Sequence, residues 1–306
     1  MASGSPAPSG VLLLDKPAGF TSTQALGRAR RLLGADKAGH TGTLDPFATG
    51  LLPLAFGEAT KFSRFLLDAT KSYHAVLRLG ATTPTGDTES PPQIHGEIPE
   101  DLGTIADVLR KFRGEIEQTP PMHSAIRHQG RRLYDLARQG VEVHRSPRLV
   151  EIHDLRMLSK IGERLVISVI CSKGTYIRTL AMDIGKALGC GAYLVELRRT
   201  GVGDFGIDQA VTLETLEGEE LEARRARLLP PSVLVKGLPK AELAAEVARR
   251  FSHGQAIELG QAVAGDLALF GPGGAFLGVG LVEASGKVAP ARLMAPPACT
   301  DGPDFA

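Results

Sequence analysis

Tryptophan is absent from this chain of 306 residues, tyrosine occurs four times, and cysteine three times, at Cys171, Cys190 and Cys299. An odd cysteine count without a C-x-x-C pair speaks against a disulfide framework and against structural zinc. The eight histidines include no H-x-x-x-H pair, and His123 and His128 stand five apart, off one helical face, which argues against zinc hydrolysis. Gly286-Lys287 is followed by Val288 and lacks the upstream glycine of a P-loop, and no dinucleotide fingerprint occurs. No cofactor and no metal are implied. No apolar run approaches membrane-spanning length, and Met1 to Gly10 is small and polar with no basic region, so neither a membrane anchor nor a signal peptide is expected. A reducing cytoplasm fits the cysteine usage.

What is present is enough for a large core: 43% of residues are hydrophobic. The length favours two domains, or one with a large insertion. Net charge is only +1, but residues 1–200 carry 26 Lys+Arg against 20 Asp+Glu, whereas residues 201–306 carry 9 against 14. A basic front and an acidic back leave one face suited to phosphates.

Val11 to Leu14 is a short apolar run suited to a buried strand. Ser22 or Thr23 can cap a helix through Leu33, with Gly34 as its stop. Leu51 to Phe56 is a second apolar stretch, and Tyr73 to Leu79 alternates as a half-buried strand. Ile105 to Phe112 predicts an amphipathic helix, Leu165 to Ile170 a strand, and Thr179 to Leu188 a helix starting directly after Arg178. Met122 to Leu149 differs: six arginines and three histidines face two acids, which reads either as a solvated charged hairpin or as a basic arm that closes on nucleic acid. Beyond Pro230, Leu243 to Phe251 predicts a helix, and Ala256–Leu259, Leu267–Phe270, Phe276–Val282 and Val288–Leu293 predict a small β-rich appendix. Residues 1–10 are expected to be disordered and residues 296–306 to be a loose tail.

The segment Gly39 to Gly50 reads as a loop built to hold chemistry, with one carboxylate, one imidazole and hydroxyls among its glycines. Pro46 fixes its own φ and disfavours the helical region for Asp45, so the carboxylate is presented from extended backbone. A glycosidase would need a second carboxylate, which the Asp87 and Glu89 pair could supply from a turn-like stretch. A single carboxylate instead suits cleavage of a sugar-to-base bond without a separate water-activating base.

Asp15-Lys16-Pro17, Ala38 to Pro46 with Ala48-Thr49-Gly50, Gly57 to Lys61, Lys71-Ser72-Tyr73, Cys171 to Arg178 and Leu197-Arg198-Arg199 occur in that order, and together they resemble the bacterial TruB family of tRNA pseudouridine synthases. The resemblance covers nearly the whole chain, since Val279 to Leu293 looks like the family's C-terminal RNA-binding PUA-type domain. It implies an α+β architecture, the pseudouridine synthase fold: a mixed, mainly antiparallel central sheet flanked by helices, plus a small β-rich C-terminal PUA-like domain. The implied organisation is a catalytic domain over 11–235, with a thumb-like insertion at about 122–149, and an RNA-binding domain over 238–295.

The implied activity is isomerisation of one T-loop uridine of tRNA, position 55, to pseudouridine. The N1–C1′ bond breaks, the uracil rotates, and C5 joins C1′ after the base is flipped out. Asp45 matches the catalytic aspartate, acting either as nucleophile at the sugar or as base at C2′. Tyr73 would stack on the uracil and take the C5 proton. Arg178 would pair with Asp45 and keep it ionised and aimed. Tyr176 and Leu197 would wall the pocket, His40 would sit against the nucleotide, and Asp87 would join the surrounding hydrogen-bond network. Lys16 and Lys61 stay open between phosphate contacts and fold-stabilising pairs. The implied partner is tRNA, through its T-loop and acceptor stem, with no membrane, no obligate protein partner and a monomeric, cytoplasmic protein. Two alternatives remain at this point: a guide-RNA-dependent pseudouridine synthase, and a non-catalytic tRNA-folding or RNA-binding protein.

Overall fold

The structure, a computed structural model, describes residues 7–124, 126–260 and 264–295. The expected loose tail at 296–306 lies outside them, as do residues 1–6 of the expected disordered N-terminus. The rest of that N-terminal expectation is corrected: Pro8 is buried and Gly10 already opens a strand.

One sheet forms the body. Its strands are β1 (Gly10–Lys16), β2 (Ala38–His40), β3 (Thr49–Phe56), β4 (Lys71–Leu79), β5 (Gly114–Gln118), β6 (Arg148–Ile161), β7 (Arg164–Cys171), β8 (Ala192–Val202), β9 (Phe205–Gly206) and β10 (Val211–Thr212). The spatial order is β10-β1-β3-β8-β4-β7-β6-β5, with β2 on β3 and β9 on β8. Only β1–β10 and β3–β8 pair parallel, so the sheet is mixed and mainly antiparallel.

Three longer helices cover it. In α1 (Ser22–Leu33) the buried residues Ser22, Ala25, Ala29 and Leu33 recur at helical spacing, and Gly34 ends the helix at φ +62°. The cap is Thr21, not Ser22 or Thr23: its hydroxyl accepts from the Gln24 amide at 3.1 Å, and Gln24 Oε1 accepts from the Thr21 amide at 2.9 Å. This helix lies on Leu12, Leu14, Leu52 and Leu54 of β1 and β3. Helices α2 (Leu102–Lys111, capped by Asp101) and α3 (Ile177–Ala187) cover β4, β6, β7 and β8 through Ile105, Leu109, Leu180 and Ile184. Burial of each such leucine or isoleucine contributes about 1.5–3 kcal/mol. The α3 helix begins at Ile177, so Arg178 lies in its first turn rather than ahead of it.

The basic stretch 122–149 contributes a two-stranded pair, Arg127–His128 with Arg131–Arg132, and a short helix, Leu133–Arg138, whose Leu133 and Leu136 are buried. The C-terminal sheet has β11 (Lys240–Glu242), β12 (Ile257–Glu258), β13 (Gly265–Phe270), β14 (Phe276–Val282) and β15 (Lys287–Leu293), in the order β11-β13-β14-β15-β12, with α4 (Ala245–Ser252) against it. It packs on the back of β1 and β3, where Phe62 meets Phe276 edge-on at 5.0 Å. Lys61 ties this junction: its ammonium donates to the Leu293 carbonyl at 3.0 Å and pairs with Glu58 at 2.6 Å. The choice left open for Lys61 is therefore decided for a structural pair. Among the described residues no helix is long and apolar enough to cross a membrane.

Candidate active site

The chemistry gathers where the two central strands run parallel. Gly50 of β3 lies opposite Arg199 of β8, with φ +104°, and a Cβ there would stand 2.3 Å from the Arg199 carbonyl oxygen, so only glycine permits the approach. Just before Gly50, residues 41–48 form an irregular loop closed by a turn in which the Ala48 amide donates to the Asp45 carbonyl at 3.1 Å, with Pro46 second in the turn.

Four clamps hold that loop. Lys16, fully buried at the end of β1, donates to the carbonyls of Pro17 (2.8 Å), Phe20 (2.7 Å) and Pro46 (3.4 Å). The Gly19 amide donates to the Pro46 carbonyl at 2.8 Å. Ser22 Oγ donates to the Leu44 carbonyl at 3.0 Å and accepts from the Leu44 amide at 2.8 Å. Arg199, 1% exposed, donates to the carbonyls of Leu51 (2.7 Å), Gly42 (3.3 Å) and Thr43 (3.5 Å). Lys16 thus serves the loop and not a phosphate. Burial lowers its ammonium to about 8. In Lys16→Met the lost carbonyl bonds and the relieved desolvation oppose each other, so the melting temperature is expected to change little. The loosened loop is expected to slow single-turnover conversion about 10- to 100-fold; an unchanged rate would show that the clamp does not aim Asp45.

Arg178 carries the electrostatics. Its Nε stands 2.9 Å from Asp45 Oδ2 and its Nη2 3.2 Å from Asp45 Oδ1, a two-pronged grip. Behind it, Nη1 stands 3.3 Å from Asp87 Oδ2 and donates to the Thr85 carbonyl at 3.3 Å, while Nη2 donates to the His123 carbonyl at 2.6 Å. A cation in the first turn of a helix opposes the helix dipole, and the two carboxylates compensate it. Asp87 is in turn fixed by the Thr85 hydroxyl at 2.6 Å and the Glu89 amide at 3.0 Å. The Asp45 side chain keeps 34% exposure, while Arg178 keeps 4%. Burial raises the Asp45 carboxyl above its ordinary value, the Asp87 charge adds to that, and the Arg178 guanidinium pulls it back down.

A cavity of about 300 Å³ opens in front of the pair. The sequence-derived residues Asp45, Tyr73, Tyr176, Arg178 and Leu197 all line it. His40 and Asp87 do not belong to this wall. Asp87, 1% exposed, grips Arg178 from behind instead of meeting a ligand. His40 ends β2 opposite Leu54, and burial together with the charge of Arg199 lowers its imidazole, so it stays neutral. Tyr73 lies beside Arg199 on the neighbouring strand, and burial pushes its phenol up. The Arg199 guanidinium, by its charge and a hydrogen bond, pulls that phenol back down.

Lys71, Ser124 and Arg199 also line the cavity, and the sequence motifs did not single them out as site residues. Arg199 carried a signal, since it closes the Leu197-Arg198-Arg199 motif; Ser124, on the basic insertion, carried none. Gln118 was missed as well: its side-chain amide donates to the Tyr176 carbonyl at 3.1 Å and accepts from the Tyr176 amide at 2.7 Å, which fixes the start of α3. A more open cleft of about 660 Å³ runs along α1, but its carboxylate, Glu217, is paired with Arg28 at 2.7 Å. Among the described residues no cluster of His, Cys, Asp and Glu could hold a metal ion.

Residues 30–177 match the family model of the TruB family pseudouridylate synthase N-terminal domain, residues 178–235 that of the tRNA pseudouridylate synthase B C-terminal domain, and residues 239–294 that of the pseudouridine synthase II TruB C-terminal region. The chain is 53% identical over 286 residues to tRNA pseudouridine synthase B of Azoarcus sp., covering 94% of this chain and 95% of that protein. It is 51% identical over 288 residues to tRNA pseudouridine synthase B of Chromohalobacter salexigens, covering 93% and 94%. Among solved structures, a chain of an H/ACA RNP bound to a substrate RNA containing 2′-deoxyuridine superposes with a TM-score of 0.72 at 26% identity, covering 96% of this chain and 92% of that one. A chain of a Cbf5-Nop10-Gar1 complex superposes with a TM-score of 0.71 at 28% identity, covering 95% and 84%.

Proposed function

This chain belongs to the TruB family of pseudouridylate synthases, and from that premise we propose that it acts on the T-loop uridine at position 55 of tRNA, with Asp45 as the group that attacks the flipped nucleotide. It is an RNA-acting isomerase that converts a uridine of tRNA to pseudouridine, and its architecture is the pseudouridine synthase fold. The N1–C1′ bond breaks, a C5–C1′ bond forms, the C5 hydrogen leaves as a proton, and N1 takes one up. The observation that carries the reading is the Asp45–Arg178 fork facing a nucleoside-sized cavity that also holds an aromatic ring, Tyr73.

In this reading Arg178 keeps Asp45 ionised against its burial, and Asp87 keeps Arg178 in place. Tyr73 stacks on the extruded base, Tyr176 and Leu197 wall it, and His40 supports the opened loop from β2 rather than from the cavity wall. Asp45 works either on C1′ or on the C2′ hydrogen. The residues 11–235 serve as the catalytic unit, and residues 238–295 as an RNA-binding unit that orients the acceptor stem. The acidity of the chain's end does not weigh against the latter: between 238 and 295, five basic residues, Lys240, Arg249, Arg250, Lys287 and Arg292, balance five acids, Glu242, Glu246, Glu258, Asp266 and Glu283. The protein works as a cytoplasmic monomer without guide RNA. Relatives named for tRNA, at 51–53% identity, favour that over the guide-RNA-dependent alternative, whose likeness is 26–28%. Purified protein converting an unmodified tRNA transcript with no second RNA present tests the reading directly, and conversion only in the presence of a guide RNA would overturn it.

The basic insertion is the part of this reading that salt can probe. Removing the exposed Arg131 together with Arg132 is expected to weaken tRNA binding and flatten its dependence on salt. The log–log slope should fall by roughly 0.7–0.9 for each phosphate no longer neutralised. An unchanged slope in a titration from low to physiological salt would show that the insertion does not touch phosphates.

A further inference from the structure

We infer that Ser124 reads the flipped base, its hydroxyl donating a hydrogen bond to a carbonyl oxygen of the uracil. The inference rests on the pseudouridine synthase reading above and adds a base-contacting residue to it. Ser124 lies on the basic insertion, yet it is 5% exposed and lines the same cavity as Asp45, Tyr73 and Arg178. Its Oγ makes no hydrogen bond. Among the described residues two other buried side-chain atoms share that condition, His40 Nδ1 and Thr179 Oγ1, and neither residue lines the cavity.

The backbone around Ser124 is fully engaged. Its amide donates to the Met122 carbonyl at 2.9 Å, and its carbonyl accepts from the Tyr134 amide at 3.1 Å. The preceding carbonyl, that of His123, accepts from Arg178 Nη2 at 2.6 Å. The hydroxyl is therefore held in register with the Asp45–Arg178 pair, one residue away from the contact that steadies it. Burial pushes the Tyr176 phenol up, and the neighbouring Ser124 hydroxyl draws it back down without meeting hydrogen-bond geometry.

A base taken out of its stack and out of water brings two carbonyl oxygens that need donors. Arg178 is committed elsewhere: it donates to Asp45 and to the Thr85 and His123 carbonyls, and it stands in ion-pair contact with Asp87. Ser124 offers a donor that makes no hydrogen bond of full geometry within the protein. A hydroxyl left unpaired in the free protein and satisfied only by substrate is a cost to the fold that the bound base relieves.

The test is a cycle between protein and substrate, with T-stem-loop RNAs carrying uridine, 2-thiouridine or 4-thiouridine at the target position, assayed with the wild type and with Ser124→Ala. A thiocarbonyl accepts hydrogen bonds poorly. Ser124→Ala is expected to melt no lower than the wild type, because no partner in the protein is lost, and to convert the uridine RNA about tenfold more slowly. One of the two thio-substituted RNAs should slow the wild type beyond its effect on Ser124→Ala. Equal thio effects in both proteins, or an undiminished rate in Ser124→Ala, would overturn the inference. A wild type that converts none of the RNAs would overturn the pseudouridine reading itself, and with it this one.

Discussion

Asp45→Asn is expected to abolish pseudouridine formation, by about 10³-fold or more, while the fold and the grip on tRNA persist. The amide keeps the shape of the carboxylate and can still meet the Arg178 fork with its oxygen. What it loses is the negative charge, and with it both candidate roles, attack at C1′ and removal of the C2′ hydrogen. Arg178 stays in place because Asp87, the Thr85 carbonyl and the His123 carbonyl hold it from the other side. Filter binding and thermal melting should therefore resemble the wild type when turnover is gone. Turnover within tenfold of wild type would mean that another group does the chemistry.

Arg178→Lys is expected to produce the second large loss, about 10²-fold or more in rate, together with a displaced pH profile. An ammonium keeps the charge but cannot offer the two-pronged geometry at 2.9 and 3.2 Å while also holding Asp87. The sign of the pH effect follows from Asp45. Its carboxyl is raised by burial and by Asp87, and Arg178 is the first of the groups that lower it. Only the ionised form is active in either role, so activity falls as pH drops through the pKa of Asp45 in the folded protein. Weakening the opposing guanidinium lets that pKa rise further, and the acidic limb of the rate profile moves to higher pH. The same raised carboxyl means that ionised Asp45 weighs against the fold at neutral pH, a cost relieved as acid protonates it. A slower variant with an unmoved acidic limb would show that Arg178 positions substrate but does not set the charge of Asp45.

The loop that carries the chemistry was legible in the chain because it is local. A proline fixes the backbone after Asp45, glycines flank it, and too few apolar residues are present for burial to make it a strand or a helix. The strands at 11–14 and 73–79 and the covering helices were legible for a similar reason, since hydrophobic period reports which face is buried. Cap identity was not: Thr21, Ser22 and Thr23 are all competent, and the choice fell to Thr21 because Ser22 is occupied by Leu44 of the active loop. The partnership of Asp45 with Arg178 spans 133 positions. It exists because β3 and β8 run side by side, a fact of topology that no local pattern encodes, and it came instead from motifs met together in order. Arg199 and Lys16 stand in motifs, but no local pattern marks either as buried. They are buried because backbone carbonyls of a loop without regular pairing need donors from somewhere. Ser124 was hidden most completely, a lone serine in a charged stretch that folds back onto the cavity.

The central claim is that one carboxylate, held by Arg178, isomerises a T-loop uridine without help from a second RNA. It is tested most directly by tritium release from a tRNA transcript made with uridine tritiated at C5, because forming the C5–C1′ bond expels that hydrogen into water. The account predicts close to one equivalent of tritium per tRNA from the purified protein alone. It also predicts none from a transcript with cytidine at the target position, and none with Asp45→Asn. Release that persists in Asp45→Asn, or that requires an added guide RNA, would contradict it.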